Sequence, residues 1–372
     1  MKDALSVMLA AGGTGGHLFP AFALAEELQR RGVAVDLMTD MRGDRYGSGF
    51  PARNVYKVPA ATLAGRSPLA AARTAWSLAN GTRAAYAILR KVKPSAIIGF
   101  GGYPTFPPLV AARLLGVPSA IHEQNAVLGR ANKMLARRVN AIATSFERTK
   151  YLDGGFGKPV CMTGNPVRHS VIEAASALFQ SPEPQGEFRI LVFGGSQGAR
   201  FFSDIVPAAL AALNAAMRAR LRVVQQVRDE DLGRVRQSYA ESRIKAEAGT
   251  FFKDLPARMA ASHLIIGRAG ASTVAELTVI GRPALLVPLP HALDNDQLNN
   301  ALRLAESGGG WCIEQKNLGA QRLTAEIDNL MAEPQKLAAA AEAAKRSGRP
   351  DAVVRLADFV LDLARGVALR PT

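Results

Sequence analysis

Only two cysteines occur in 372 residues, and Cys161 and Cys312 lie too far apart for a CxxC pair. That excludes a disulfide framework and a structural zinc site. Long apolar runs are missing as well. A membrane-spanning helix needs roughly 20 consecutive apolar residues, and the stretch that comes nearest, 95–121, is broken by glycines, four prolines and Arg113. Lys2 ahead of a short apolar run resembles the start of a signal peptide, but Asp3 and the brevity of the run read better as a first buried strand. Aromatic residues amount to 6%, too few for the stacking that nucleic-acid binders rely on. No nucleic-acid partner is expected, although the net charge is +15. Neither GxxxxGK(S/T) nor GxGxxG occurs, which removes a P-loop NTPase and weakens a dehydrogenase.

Acidic residues are the remaining scarcity, and it is local. From Arg45 to His122 there is no Asp or Glu, but there are ten Lys or Arg. Residues 1–164 hold 21 basic against 9 acidic residues, a net of +12, whereas residues 165–372 hold 25 against 22, a net of +3. One-sided charge of this kind points to a polyanionic partner, nucleic acid or an anionic membrane surface.

A chain of this length exceeds one comfortable core, so two domains are expected. Apolar strand-length runs alternate with amphipathic stretches: ALSVMLA, VAVDLMT, SAIIGF, PSAIH and VNAIAT, then FRILVF, LRVVQQV, HLIIGR, PALLVP and GWCIE. Such alternation predicts parallel sheets wrapped by helices, an α/β fold. The pattern restarts at Phe188, where FRILVFGGSQGARF repeats the strand, glycine turn and helix start of LSVMLAAGGTGGHLF. Asn165-Pro166 interrupts regular structure between the two halves. The expected division is 1–164, 165–345 and a closing segment, 346–372, that carries an amphipathic helix over 351–366. The whole reads as two lobes with a cleft between them.

The glycine turns carry the chemistry. Leu18, Phe22, Ala25 and Leu28 define one face of a helix with Pro20 in its first turn, so GGTGG (12–16) crosses from a strand's carboxyl end to a helix's amino end. Free backbone N–H groups and the positive end of the helix dipole collect there, and glycine lets an anion approach. A single such turn is equally well a convenient tight turn. The device recurs at GFGGYP (99–104), FGGSQGAR (193–200) and GRAGAST (267–273), which favours a diphosphate or sugar phosphate. His17, at a helix amino end, is held neutral by the dipole. It can take a proton from a hydroxyl nucleophile, or it can cap its helix or bind a phosphate. Of two DxD pairs, Asp229/Asp231 and Asp294/Asp296, the first opens a polar helix and reads as capping; no metal site is expected.

GGTGGH (12–17), GGY (101–103), HEQN (122–125), GNPVR (164–168), GGSQGAR (194–200), GASTVAE (270–276) and the spaced His291, Gln297 and Asn300 together resemble the MurG family. Its members move N-acetylglucosamine from UDP onto lipid I, the undecaprenyl-pyrophosphoryl-MurNAc-pentapeptide, to make lipid II. The resemblance runs from residue 12 to about 310 and into the closing helix. It implies the GT-B fold, two Rossmann-like doubly wound domains, with the acceptor lipid on the first and UDP-GlcNAc mainly on the second. It implies an inverting reaction that needs neither cofactor nor metal, run by a peripheral protein on the cytoplasmic face of the bacterial inner membrane.

Carried over by motif, Arg168 and the backbone at Lys253 would border the uracil, and Glu276 would accept both ribose hydroxyls. Ser196 and the helix start at Ala271, Ser272 and Thr273 would bind the diphosphate. Gln297 and Asn125 would read sugar hydroxyls, with Thr14, Gly15 and Gly16 close by. His17 would be the base for the acceptor's 4-hydroxyl, supported by His122, Glu123 or Asn300, with Tyr103 and Asn300 on the acceptor side. From the charge pattern, Leu63, Leu69, Trp76 and Leu78, interleaved with Arg66, Arg73 and Arg83, read either as a face that dips into the membrane interface or as the core face of a helix. Three stretches depart from the family pattern: PTFPPLV (104–110), Lys253 where an apolar residue is common, and QQVRDED (225–231). A competing class, the UDP-N-acetylglucosamine 2-epimerases, resembles this fold and donor site but needs no lipid and no basic first half.

Overall fold

The apolar runs form strands that are buried on both faces, and this dictates how the helices are placed. The computed structural model describes residues 5–12, 15–40, 49–60, 68–195, 198–290 and 292–370. Contacts divide the chain into two units: Met1–Arg168 with Pro350–Thr372, and His169–Arg349.

The first unit holds a seven-stranded parallel sheet. Its strands are β1 (Ser6–Ala10), β2 (Ala34–Thr39), β3 (Asn54–Lys57), β4 (Ala96–Gly99), β5 (Ser119–Glu123), β6 (Ala141–Thr144) and β7 (Val160–Met162), in the spatial order β3-β2-β1-β4-β5-β6-β7. Alternation along β1 sends Val7 and Leu9 into one core and Met8 and Ala10 into the other, as a strand period of two requires. Both faces of a parallel sheet must be covered. Helices Gly15–Arg30 and Ala352–Arg365 cover the first face, while Pro68–Val92 and Phe106–Leu115 cover the second. Leu356, Phe359, Val360 and Leu363 form the helical stripe that the Ala352–Arg365 helix buries there. Arg31 pairs with Asp358 at 2.5 Å and locks that helix to the first one.

The segment Thr163–Arg168 stays with this unit. Thr163 and Gly164 both donate their N–H groups to the Thr144 carbonyl, at 3.0 and 3.1 Å. The division therefore falls after Arg168 and not at Asn165.

The second unit repeats the plan with six parallel strands: β8 (Phe188–Phe193), β9 (Leu221–Gln226), β10 (Lys245–Gly249), β11 (Leu264–Gly267), β12 (Ala284–Leu286) and β13 (Gly310–Cys312), in the order β10-β9-β8-β11-β12-β13. Each sheet reverses direction once, the first between β1 and β4 and the second between β8 and β11. In doubly wound sheets ligands bind at the carboxyl ends of the strands that flank such a reversal. The four loops at these points are Ala11–Gly12 onward and Phe100–Gly102 in the first unit, and Gly194–Ala199 and Arg268–Gly270 in the second. All four glycine turns of the sequence therefore stand at the two switch points. Among the described residues, no helix is long and apolar enough to cross a membrane.

Candidate active site

In the first unit His17 lies within the first turn of helix Gly15–Arg30, half-buried. The helix begins earlier than Pro20 suggests, so Pro20 sits inside it and has no N–H to offer the Gly16 carbonyl. A ring N–H of His17 donates to the Gly12 carbonyl, which makes the other nitrogen the acceptor of the neutral tautomer. Burial pushes the imidazole below its ordinary pKa, and that bond opposes the shift in part. Desolvation, more than the helix dipole, thus keeps His17 neutral.

The turn after β4 makes room for the ring. Gly101 and Gly102 have φ of +89° and +74°. A Cβ on Gly101 would stand 3.3 Å from His17 Nε2 and 3.4 Å from Asn132 Nδ2, and one on Gly102 would stand 3.4 Å from His17 Cε1. Only glycine suits both the backbone and the contact. Tyr103 follows as the first residue of a short turn, Tyr103–Thr105, that the Thr105 hydroxyl ties to the Gly102 carbonyl at 2.8 Å.

His122 and Glu123 end β5 and brace the same edge. His122 has no exposed surface. Its Nε2–H donates to the Gly164 carbonyl at 3.0 Å, and Nδ1 accepts from Gln124 Nε2 at 2.9 Å. Burial pushes its pKa down to about 4. Glu123 takes four N–H donors: the Asn125 amide N–H at 3.0 Å and its side-chain Nδ2 at 3.3 Å, the Gly129 N–H at 2.9 Å, and Asn132 Nδ2 at 2.8 Å. Burial raises its pKa and these donors counter it. Both side chains fold the loop 124–132 against the turn that holds His17. Asn132, nine residues beyond Glu123, was not legible as part of the site because no motif surrounds it. Arg168, at the end of this unit, stacks its guanidinium over the Phe19 ring at 5.4 Å.

In the second unit, helix Ala271–Ile280 starts after Gly270 with no side-chain cap. Its first N–H groups, on Ala271, Ser272 and Thr273, are the ones a helix leaves without internal acceptors. Ser272 Oγ is buried and makes no hydrogen bond. A cap-free helix start with an unused hydroxyl is suited to an anion. Across the switch point, a Cβ on Gly194 would lie 2.3 Å from the Ala199 nitrogen, so the turn admits only glycine there. Glu276 is buried in the second turn of the Ala271–Ile280 helix, 8% exposed.

Arg268, at the end of β11, reaches the carbonyls of Val287 and Pro288 at 3.0 and 3.1 Å and Gln315 Oε1 at 2.7 Å, over the rings of Phe201 and Phe202. Burial pushes its pKa down to about 10. It fixes the exit of β12, which leads to Gln297; an arginine closing an otherwise apolar strand was the only sign of it. Gln297 Oε1 accepts from the Leu289 N–H at 3.0 Å, so its amide NH2 is what it presents as a donor. Asn300 is fully buried and gives Nδ2 to the Ala269 carbonyl at 3.1 Å. It braces the turn after β11 from inside the second unit. Lys253 has an exposed side chain, leaving its backbone for any base contact.

The DxD pairs have other occupations. Asp231 holds Arg234 at 2.7 Å instead of capping backbone N–H groups, and Asp296 Oδ1 accepts from the Gln297 N–H at 2.7 Å. Thr14, Ser196 and His291 lie outside the described residues, as do Leu63, Arg66 and the side chain of Leu69. On the Pro68–Val92 helix, Arg73, Trp76, Arg83 and Arg90 follow one another at three- to seven-residue steps and all face solvent, Trp76 at 71% exposure. Leu78 is partly buried.

The glycosyltransferase family 28 N-terminal domain matches residues 7–144, and the family's C-terminal domain matches 189–356. The chain is 52% identical to the UDP-N-acetylglucosamine–N-acetylmuramyl-(pentapeptide) pyrophosphoryl-undecaprenol N-acetylglucosamine transferase of Rhodopseudomonas palustris (strain BisB18) over 358 residues, 96% of each chain. The crystal structure of Acinetobacter baumannii MurG superposes with a TM-score of 0.78 at 29% identity, covering 96% of this chain and 99% of that one. A UDP-N-acetylglucosamine 2-epimerase from Listeria monocytogenes, at 13% identity and a TM-score of 0.67, covers 99% of this chain and 98% of its own. At that distance the likeness extends to the fold alone.

Proposed function

The chain belongs to glycosyltransferase family 28, and from that premise we propose the reaction and the division of labour among its residues. It transfers N-acetylglucosamine from UDP-N-acetylglucosamine to the 4-hydroxyl of the muramyl sugar in undecaprenyl-pyrophosphoryl-MurNAc-pentapeptide, the step from lipid I to lipid II in peptidoglycan synthesis. The observation that carries this reading is 52% identity to a transferase of that name along 96% of both chains.

In the reaction proposed, His17 accepts the proton of the acceptor's 4-hydroxyl through its second ring nitrogen. The hydroxyl oxygen attacks the anomeric carbon, the bond to the UDP oxygen breaks on the opposite face, and configuration inverts. Negative charge grows on the departing diphosphate. The N–H groups of Ala271, Ser272 and Thr273, the Ser272 hydroxyl, the glycine turn after β8 and Ser196 within it offset that charge without a metal. Glu276 accepts the ribose hydroxyls, while Arg168 and the Lys253 backbone border the uracil. Gln297, Asn125, Thr14 and the glycines after it read the transferred sugar. Tyr103 lies on the acceptor side. His122 and Glu123 act as braces that aim His17.

One assay tests the reaction. UDP release from UDP-N-acetylglucosamine is expected to require a lipid I analogue and to persist in a chelator. Lipid-independent release of N-acetylmannosamine would instead mark an epimerase.

The basic first unit is assigned to the cytoplasmic face of the inner membrane, where the protein binds peripherally. Arg73, Arg83 and Arg90 face anionic headgroups at about 1 kcal/mol each, and Trp76 enters the interface. Binding to vesicles of anionic lipid is expected to weaken steeply between 0.05 and about 0.5 M salt, because the Debye length shrinks several-fold. Replacing the three arginines by Glu is expected to abolish it. Sedimentation with vesicles checks both, and binding indifferent to salt rules charge out as the anchor.

A further inference from the structure

The two edges of the second sheet are finished differently. At β10 the strand carries Lys245 and Glu247, and the Arg236 guanidinium covers the Ala248 carbonyl at 2.9 Å. Charges of this kind keep an edge from pairing with another chain. The sequence of β13, GWC, carries no charge, and all three residues are half-buried. Just beyond it the Ile313 N–H donates to the Leu286 carbonyl at 3.0 Å, and Trp311 is in register with Leu285. Alternate residues of a parallel ladder turn their backbone groups to the same neighbour. Trp311 and Ile313 therefore serve β12, while Gly310 and Cys312 point their N–H and carbonyl groups away from it. Among the described residues nothing bonds to those four groups. Backbone groups withdrawn from water call for a partner.

The open side of β13 is a groove of about 760 Å³, walled by the helices Ala320–Ala332 and Pro334–Ser347 and by the end of Asp296–Glu306. From Pro334–Ser347 it is lined by Lys336, Ala339, Ala340, Ala343 and Arg346, one helical stripe at steps of three and four with a cation at each end. Arg322 adds a third cation, against one acid in the lining, Glu326. Each cation has an acidic neighbour on its own helix: Arg322 has Glu326 at 3.5 Å, Lys336 has Glu333 at 2.7 Å and Arg346 has Glu342 at 2.7 Å. Surface pairs of this kind are weak and can be exchanged for another carboxylate. Lys336 and Arg346 stand about 15 Å apart along the helix at 1.5 Å per residue, the span of about four to five residues of extended chain. We propose that this groove takes an extended acidic segment of a partner protein. The segment adds a strand to β13 through Gly310 and Cys312 and sets a carboxylate at each end against Lys336 and Arg346. Main-chain bonds supply affinity in such an addition, and the flanking pockets and charges select the partner. A recessed edge admits one extended chain more readily than the sheet of a second copy. The groove meets the carboxyl end of helix Asp296–Glu306, whereas Gln297 stands at the amino end, so the segment and the sugar donor do not compete.

The probe is a capped pentapeptide, Glu-Val-Thr-Val-Glu, titrated into the full chain carrying Trp76→Phe. Trp311 is then the remaining one of two tryptophans and reports by its fluorescence. The peptide is expected to shift the Trp311 emission saturably, and an analogue with Lys for both Glu to bind at least about tenfold more weakly. An added strand turns only every other N–H toward the edge, so N-methylation of one alternate set of peptide amides is expected to abolish binding, and of the other set to leave it within about twofold. Cys312→Pro removes one outward N–H, a loss that an edge strand tolerates. That variant is expected to lose the peptide and keep its melting temperature; should it fail to fold, the methylated peptides decide the matter alone. Absence of a saturable shift with the acidic peptide overturns the proposal. So do equal effects of the two methylation patterns, equal affinity for the Lys analogue, and displacement of the peptide by UDP. Self-association of the chain that Cys312→Pro abolishes, seen by analytical ultracentrifugation, also overturns it and gives the groove to a second copy.

Discussion

Replacing His17 by Ala lowers kcat by about 10²- to 10⁴-fold, the usual worth of a positioned general base, and leaves the affinity for UDP-N-acetylglucosamine within about twofold. The split follows from the geometry. His17 occupies the switch point of the first sheet, wedged against Gly101 and Gly102, whereas the groups assigned to the nucleotide stand mainly on the second sheet. The pH profile gives an independent check. A base works in its neutral form, so kcat/KM falls as pH drops through the pKa of His17. Burial holds that pKa below 6.5, and the acid limb is therefore expected below pH 6.5 in the wild type and absent from the residual activity of the variant. A variant that loses donor affinity in step with kcat, or an acid limb above pH 7, would move His17 out of the base role.

The second large effect belongs to Glu276. The residue is 8% exposed on the Ala271–Ile280 helix, so a ligand hydroxyl bonded to it is partly withdrawn from water. Hydrogen bonds to a charged group contribute about 1.5–3 kcal/mol. Glu276→Ala is expected to raise the dissociation constant of UDP by about 10- to 100-fold, with fold and kcat at saturating donor much less affected. A nucleotide without the two ribose hydroxyls separates recognition from general damage. Dideoxyuridine diphosphate should bind the wild type weakly and the variant no worse. If it weakens with the substitution as UDP does, Glu276 supports the helix and does not touch the ribose.

The strands that sequence patterning identified and those it missed differ in one respect. All ten apolar runs became strands. The three unpredicted ones, Asn54–Lys57, Val160–Met162 and Lys245–Gly249, are all edge strands, whereas of the ten predicted only Gly310–Cys312 is one. An edge has one neighbour and partial cover, so NVYK and KAEAG can be polar and exposed and carry no apolar signal. The glycine turns were legible because a switch point demands small residues whatever the ligand. The hydrogen-bond partners of His122, Glu123 and Asn300 were not. A motif marks residues that a site cannot do without, and it does not distinguish a brace with both nitrogens engaged, such as His122, from a group left open to the substrate. Burial makes that distinction. Asn132 and Arg268 were hard to see for another reason: Asn132 has no motif around it, and Arg268 finds its partners 19 to 47 residues further along the chain.

The helix Ala352–Arg365 has a consequence for how the chain is made. Its stripe of Leu356, Phe359, Val360 and Leu363 fills one side of the first sheet, at about 1.5–3 kcal/mol per side chain. On the ribosome those residues emerge only after the whole of His169–Arg349, which has all of its own strands by then and can close its core at once. The amino-terminal sheet must wait, with one apolar face only half covered by helix Gly15–Arg30, until the Ala352–Arg365 helix has been made. Order of folding thus runs against order of synthesis, and the half made first is the half most exposed to chaperones and proteases.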